Sequence, residues 1–183
     1  MKKLLIAAVM LAAVSVNGFA YSFFVGGELG IESITPNKGD SNTTFSVSPY
    51  VGYLLNDKSD ISIGFSYSDN GTVDPDAEDK DESSFGVTLA YEYAIASVDK
   101  LTFYISPTLT YTSTSVKDGD AYSSYEIAVA PNVQYALSER VGLIATLGFA
   151  GISYEAIEDG DSTFTFGANG NDTITSIGFY FNF

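Results

Sequence analysis

The dominant pattern in this chain is an alternation of apolar and polar residues over stretches of about ten positions. In the first stretch, Phe23–Ser33, the odd-numbered positions are almost all apolar, while most even-numbered positions are Gly or Glu. Successive side chains of a β-strand point to opposite faces, so this pattern predicts a strand with one apolar face. Seven more stretches alternate in the same way: Thr44–Leu54, Ile61–Ser68, Phe85–Tyr93, Leu101–Tyr111, Tyr125–Tyr135, Val141–Phe149 and Ser176–Phe183.

The apolar row falls on odd-numbered residues in all eight predicted strands. A meander of antiparallel hairpins needs such a shared register to keep one face on one side throughout. Tyrosines stand at the ends of these rows, as is typical of side chains at a lipid headgroup layer. A strand of about ten residues tilted by about 45° spans roughly 25 Å, the height of an outer-membrane apolar band. The pattern therefore predicts a membrane-spanning barrel.

Short and long connections alternate along the chain. The short turns are Asn56–Ser59, Ser97–Lys100 and Ser138–Arg140, and the long polar loops are Pro36–Asn42, Asp69–Glu82, the segment around Asp118–Asp120, and about Ser153–Asp172. In membrane barrels of bacteria the short turns face the periplasm and the long loops face outward. We therefore expect both termini in the periplasm and four acidic loops outside the cell.

A soluble lipocalin-like barrel or sandwich is the competing interpretation, with the apolar rows facing inward. The polar rows here consist largely of Ser, Thr, Gly and Tyr, whereas a soluble surface is richer in charge. Every basic residue after position 20 lies in a predicted loop or turn: Lys38, Lys58, Lys80, Lys100, Lys117 and Arg140. This distribution favours the membrane barrel.

The last eight residues place Phe179, Phe181 and Phe183 on one strand face. Ser176, Gly178, Phe181 and Phe183 match, position by position, the C-terminal insertion signal of bacterial outer-membrane barrels. The chain thus resembles the small eight-stranded family typified by OmpX and the OmpA membrane domain. The resemblance implies an all-β, eight-stranded antiparallel up-and-down transmembrane β-barrel, most simply a monomer. It also implies contact with outer-membrane lipid and lipopolysaccharide, binding of the barrel-assembly machinery by the C-terminal strand, and adhesion, host-interaction or stress roles in some members.

The N-terminus has the features of a secretory signal peptide. Two lysines precede an apolar run of 13 residues, Leu4–Val16, and small residues stand at Gly18 and Ala20. The run is too short for a helix that crosses a bilayer, which needs about 20 residues. We therefore expect residues 1–20 to be a signal peptide and residues 21–183 to be one barrel domain exported to the outer membrane.

Composition argues against enzymatic chemistry. The sequence has no His and no Cys, which removes the usual general base and the thiol nucleophile. Hence no catalytic residue and no cofactor is predicted. Six basic and 23 acidic residues follow position 20, a net charge of −17 that makes nucleic acid an implausible partner. Such charge either keeps copies apart or attracts divalent cations.

Pairs of aspartates in the loops could attract such cations. They are Asp74 and Asp76, Asp79 and Asp81, Asp118 and Asp120, and Asp159 and Asp161. Carboxylates at this spacing can hold calcium or magnesium, but none of the pairs matches a complete calcium-loop motif. The sequence therefore predicts weak divalent-cation attraction at the loops and no specific metal site.

Four carboxylates fall on the even-numbered face that would line the lumen: Glu28, Glu32, Glu92 and Glu126. An eight-stranded barrel is just wide enough for its own side chains. The acids could bond to hydroxyl groups and water in a filled core, with Lys100 or Arg140 reaching Glu92, or they could line a narrow cation path. Two functions stay open: a non-enzymatic protein of envelope integrity or surface contact, and a narrow channel or transporter for cations or small solutes.

Two prolines test the register. Pro107 and Pro131 are nearly equidistant from Gly119, so a symmetric hairpin would set them opposite each other, both pointing outward. Neither has an N–H to donate to a ladder. We therefore expect them to form a pair without hydrogen bonds or to flank a bulge.

Overall fold

The structure, a computed structural model, describes residues 23–34, 42–72, 82–116, 120–157, 162–169 and 176–183. The predicted signal peptide lies outside these ranges, as do all the paired loop aspartates except Asp120. In the described part of the chain, no helix is long and apolar enough to cross a membrane.

The described residues form ten β-strands, and all their pairings are antiparallel. The strands are β1 (Phe23–Ile34), β2 (Asn42–Asn56), β3 (Ser59–Thr72), β4 (Glu82–Val98), β5 (Leu101–Val116), β6 (Tyr122–Ala136), β7 (Val141–Thr146), β8 (Phe149–Ile157), β9 (Ser162–Asn169) and β10 (Ser176–Asn182).

These strands close into a barrel. Strands β1 to β6 pair in sequence order, β6 pairs with both β7 and β8, and β10 joins β7 to β1. Strands β7 and β8 pair with β6 one after the other, so together they form the seventh stave of the barrel. Strand β10 pairs with β7 and β9 pairs with β8, so β9 and β10 together form the eighth stave. The predicted eight-stranded antiparallel barrel is confirmed. We call the end that holds the short turns, the start of β1 at Phe23 and Phe183 the turn end, and the opposite end the loop end.

Local hydrogen bonds explain two of the short turns. Asn56 Oδ1 accepts a bond from the Lys58 amide at 2.9 Å, and Asn56 Nδ2 donates to Ser59 Oγ at 2.7 Å. Ser138 Oγ accepts bonds from two following amides, those of residues 140 and 141. Asp99, in the turn between β4 and β5, adopts a positive φ of 53°, which Asp tolerates better than most residues. All three turns lie where the sequence predicts them.

A belt of aliphatic side chains runs across β2 to β6 on the outer surface of the barrel. Five residues pair directly across β2 to β6: Val51, Ile63, Leu89, Leu109 and Ile127. Each is exposed by 37–57% on the outer surface. A soluble barrel would bury such a row, so the lipocalin-like arrangement does not apply. Aromatic pairs flank the belt, with ring centroids 5.1 Å apart for Tyr111 and Tyr125 and 4.9 Å for Phe23 and Tyr53.

Three aromatic rings fill the lumen towards the turn end, and we call them the lumen plug. Each ring lies over a glycine of a neighbouring strand, where any Cβ would overlap it. Two of the rings also contact each other edge to face, at a centroid distance of 6.2 Å. The ring and glycine pairs are Phe24 with Gly52, Tyr50 with Gly26, and Tyr180 with Gly142.

Gly142→Ala is expected to lower the free energy of unfolding by about 1–3 kcal/mol, because the new methyl group displaces the Tyr180 ring in a packed interior. Gly167→Ala on β9 is the control, since a Cβ there meets no atom within 4 Å. Urea unfolding of the refolded protein in detergent micelles measures both variants. An equal loss in the two variants would contradict the plug.

The seventh stave departs from the predicted register. Thr146 pairs with Asn132 and Ala150 pairs with Val129, so three residues of this stave face two of β6. This one-residue bulge includes Gly148, whose φ of 89° suits Gly and strains other residues. Beyond the bulge, the outward row passes to even-numbered residues such as Ile152 and Tyr154. The expectation of an odd-numbered apolar row throughout is therefore wrong for β8.

The predicted fourth loop, Ser153–Asp172, is also corrected. Most of it is a hairpin in which β8 pairs with β9 from Phe149↔Asn169 to Ala156↔Ser162. Apolar residues on this hairpin alternate at even positions and are strongly exposed, by 68% at Phe164 and 77% at Phe166. The bulge at Gly148 moves the apolar row to even-numbered positions, so the odd-numbered pattern of the other strands did not predict this hairpin.

The prolines lie close to their expected places. Pro107 pairs with Val129 and Pro131 with Ile105, so the two are offset by two residues and the predicted direct opposition is wrong. Pro131 nevertheless flanks the β7–β8 bulge, where its carbonyl accepts a bond from the Leu147 amide at 2.8 Å. The β4–β5 pairing is likewise interrupted beside Pro107, which lies on the exposed outer face. Both positions fit a residue without an N–H.

Candidate functional site

The lumen is the place where the strands bring polar side chains together. It holds a cavity of about 240 Å³, lined by residues that include Glu28, Tyr50 and Glu92. A second cavity of about 280 Å³ is lined by Glu126, Glu155 and six hydroxyl side chains. The six are Thr110, Thr112, Ser124, Ser153, Thr163 and Thr165.

Glu92 is the centre of a buried hydrogen-bond network that joins β4, β5 and β6. Its Oε1 accepts bonds from Asn132 Nδ2 at 2.7 Å and Ser106 Oγ at 3.0 Å. Its Oε2 accepts a bond from Gln134 Nε2 at 3.2 Å, and Asn132 Nδ2 also donates to Ser106 Oγ at 2.8 Å. We call these four residues the Glu92 network.

Neutral groups hold Glu92 where the sequence analysis considered a basic partner. Lys100 and Arg140 are exposed in turns, and the donors to the carboxylate are two amides and a hydroxyl. Charge-assisted bonds of this kind can hold a carboxylate in place, although they do not cancel its charge. The expectation that Lys100 or Arg140 meets Glu92 is wrong.

Asp60 is a lumen carboxylate that the sequence analysis missed. It is only 4% exposed and pairs directly with Glu92 in the β3–β4 register. Its Oδ1 is buried without a hydrogen-bond partner, and so is Oδ1 of Asn132. The predicted third strand begins at Ile61, two residues after the observed start of β3, although the even-numbered position of Asp60 already places it on the lumen face.

Glu28 lies at the seam between β1 and β10, where two residues of the C-terminal motif surround it. Ser176 lies two residues before Gly178 on the same face of β10, diagonal to Glu28 across the seam. Gly178 faces Glu28 in register, and a Cβ there would lie 2.7 Å from Glu28 Cγ and 2.7 Å from the Gly27 carbonyl oxygen. Hence the small polar and glycine positions of the motif have a packing role at this seam.

The aromatic positions of the same motif close the barrel. Phe181 pairs with Val25 of β1 and Val141 of β7. The Phe183 amide donates to the Phe23 carbonyl at 3.1 Å, and the Phe181 and Phe183 rings lie 5.2 Å apart. The start of β1 and the end of β10 therefore meet at the turn end.

Glu126 faces the second cavity together with Glu155, a further acid that the sequence analysis missed. Glu126 pairs with Ser153 and Glu155 with Ser124, so the two carboxylates are diagonal neighbours on β6 and β8. Glu155 has an odd number and faces the lumen only because the bulge reverses the faces of β8. Glu32 belongs to β1, but its side chain lies outside the part of the structure that is described.

The described residues also include side chains of the types that hold metal ions in proteins. Among the described residues, no group of three or more His, Cys, Asp or Glu side chains could hold a metal ion. Asp120 is exposed, and its partner Asp118 is outside the described ranges together with the other aspartate pairs. Weak cation attraction at the loops therefore stays a prediction.

Solved structures of three other proteins align with most of this chain. Neisserial surface protein A is 22% identical, with a TM-score of 0.55 over 88% of this chain and 97% of its own. Ail of Yersinia pestis is 15% identical, with a TM-score of 0.47 over 88% of this chain and 99% of its own. A major outer membrane protein from Thermus thermophilus is 14% identical, with a TM-score of 0.43 over 90% of this chain and 100% of its own. The likeness to Neisserial surface protein A shows a common fold, that of the small outer-membrane barrels.

The sequence also matches a described family. No curated protein matches the chain in a sequence comparison. The profile of a family described as "Putative MetA-pathway of phenol degradation" matches residues 2–155. Because this match covers more than half of the chain, the protein belongs to the putative MetA-pathway of phenol degradation family.

Proposed function

We propose that this chain is an integral outer-membrane protein without enzymatic activity, which contributes to envelope integrity or to surface contact through its acidic loop end. One observation carries the proposal: a closed barrel has an aliphatic belt outside and an aromatic plug inside. The belt suits lipid, and the plug leaves little room for a pore. The surface that meets other molecules is then the loop end.

The proposed orientation follows from the two ends of the barrel. The short turns, the start of β1 and the end of β10 share the turn end, which in such barrels faces the periplasm. The loop end would then be extracellular and in contact with lipopolysaccharide, after export directed by residues 1–20. Strand β10 would bind the barrel-assembly machinery during insertion, and the finished barrel would be a monomer.

Absence of catalysis is part of the proposal. The sequence offers neither His nor Cys, and both oxygens of Glu92 already accept hydrogen bonds from neutral donors. A carboxylate held in this way is poorly placed to take a proton from a substrate. The lumen acids are better explained as parts of a polar core.

A deletion strain tests the envelope and surface roles. We expect higher envelope stress or weaker adhesion in the strain, restored by the wild-type gene. A gene encoding Asp74→Asn, Asp76→Asn, Asp79→Asn and Asp81→Asn should restore the envelope but not a surface contact that depends on the acidic loop. If the deletion changes neither measurement, this function is wrong.

A narrow channel is the second candidate, favoured by the two lumen cavities and by the carboxylates Glu28 and Glu126 that line them. The family description suggests a small aromatic compound as one solute to test. Passage would require movement of the lumen plug, whose rings fill the space over their glycines. We therefore favour the closed barrel.

Planar-bilayer recordings separate the two candidates. The wild type is expected to show no steady conductance, whereas a Tyr50→Ala, Tyr180→Ala variant should conduct and thus prove that inserted protein is being measured. Glu28→Gln with Glu126→Gln should fold with neutral or slightly higher stability, because the amides keep hydrogen-bonding capacity without charge. Steady, cation-selective conductance by the wild type that this variant abolishes would establish the channel instead.

A further inference from the structure

The pair formed by Asp60 and Glu92 leaves a charge problem inside the barrel. Residues directly opposite each other on one face of an antiparallel pair have Cβ atoms about 4.5–5.5 Å apart. Both side chains are buried, with exposures of 4% and 7%. Two charged carboxylates on side chains whose Cβ atoms are this close repel each other, and burial away from water makes the repulsion stronger.

No basic side chain in the described ranges relieves this charge. The three basic residues of those ranges are Lys58, Lys100 and Arg140, and all three are exposed in turns. The donors to Glu92 are neutral. Among the described groups, the charge can be relieved only by a proton on one of the two carboxyl groups or by a bound cation.

Two buried oxygens, one on Asp60 and one on Asn132, are free to bind a cation. Oδ1 of Asp60 and Oδ1 of Asn132 have no hydrogen-bond partner, and both residues are more than nine-tenths buried. The orientation of the Asn132 amide is fixed by its bonds, since Nδ2 donates to both Glu92 and Ser106. A flipped amide would set its oxygen against the Glu92 carboxylate. The free Oδ1 thus lies beside the network as an acceptor.

We propose that Asp60, Glu92 and Oδ1 of Asn132 bind a single calcium ion in the lumen. Calcium takes oxygen ligands in irregular geometry and completes its shell with water, whereas magnesium needs a near-ideal octahedron. The 240 Å³ cavity that Glu92, Ser106 and Asn132 line provides space for such water. Bound calcium joins β3, β4 and β6 and offsets the repulsion between the two carboxylates. This site is independent of the aspartate pairs in the loops.

Calcium titration of the refolded barrel tests the site. The protein is prepared in zwitterionic detergent without lipopolysaccharide, stripped with chelator, and followed by calorimetry and by thermal loss of the heat-modifiable band. We expect one ion per chain and a rise of roughly 5 °C in the unfolding temperature at saturation. Asp60→Asn with Glu92→Gln should lose both signals. Glu126→Gln with Glu155→Gln removes the same charge from the other cavity and should keep both.

Several results would overturn the proposal. They are no calcium effect in the wild type, an equal effect in the Asp60 and Glu92 variant, a loss in the Glu126 and Glu155 variant, or the same effect from sodium at matched ionic strength. If the double variant does not refold, Asp60→Asn alone replaces it, because the Oδ1 of this residue has no bond to lose. This variant should bind calcium with an affinity at least roughly tenfold lower than that of the wild type. An unchanged affinity would contradict the site.

Discussion

Deletion of Phe181–Phe183 is expected to reduce folded protein in the outer membrane to a minor fraction of the wild-type level, while export continues. The deletion removes the pairs of Phe181 with Val25 and Val141 and the bond from the Phe183 amide to Phe23. These contacts close the barrel where its ends meet, and they belong to the motif that resembles the insertion signal. Cell fractionation with heat-modifiable gel mobility measures the loss.

Single substitutions separate the signal from general loss of an aromatic ring. Phe183→Ala should lower the folded fraction less than the deletion does, since the backbone bond to Phe23 remains. Phe164→Ala on β9 removes another outward ring, 68% exposed, outside the motif, and should leave assembly unchanged. Normal assembly of the truncated chain would remove the insertion-signal assignment.

Leu89→Arg is expected to cost about 2–4 kcal/mol of folding free energy in a lipid bilayer. Leu89 is 47% exposed on the outer face and pairs with Ile63 and Leu109 in the aliphatic belt. A guanidinium at that depth must either leave water or deform the bilayer around it. Reversible unfolding in bilayers gives the difference directly.

The neighbouring residue supplies the control. Thr88 lies on the lumen face, where its Oγ1 is 3.1 Å from Thr110 Oγ1. Thr88→Asn keeps a polar group that can bond to Thr110, so its cost should stay within about 1 kcal/mol. Equal losses of folding free energy in Thr88→Asn and Leu89→Arg would contradict the assignment of the lumen and lipid faces of β4.

Strand faces and turns were predictable because each depends on local sequence. Leu89 and Thr88 fall on opposite faces by the two-residue period alone, and the same period identifies the belt on β2 to β6. Asn56 and Ser138 stand at turns because their side chains bond to the following amides. These features need no knowledge of the partner strand.

Features that depend on the pairing between strands were not predictable. The bulge at Gly148 reverses the faces of β8 and brings Glu155 inward. The sequence contains 17 glycines, and nothing in the local pattern distinguishes Gly148 as the one at a bulge. The offset of Pro107 from Pro131 depends on where the β5–β6 hairpin turns. Likewise, the contact between Glu92 and Asn132 depends on the registers of two successive hairpins, β4–β5 and β5–β6. Such contacts need three-dimensional register rather than pattern.

The structure places Val51 of β2 on the outer, lipid-facing surface and the adjacent Tyr50 in the lumen at the same depth. Because the chain has no Trp, a single Trp can be placed at Val51, which is exposed on the outer face, or at the adjacent Tyr50, whose ring overlies Gly26 in the lumen. Fluorescence quenching by lipids with brominated acyl chains then tests the claim. We predict strong quenching for Val51→Trp and weak quenching for Tyr50→Trp, and equal quenching, or stronger quenching at position 50, would contradict it.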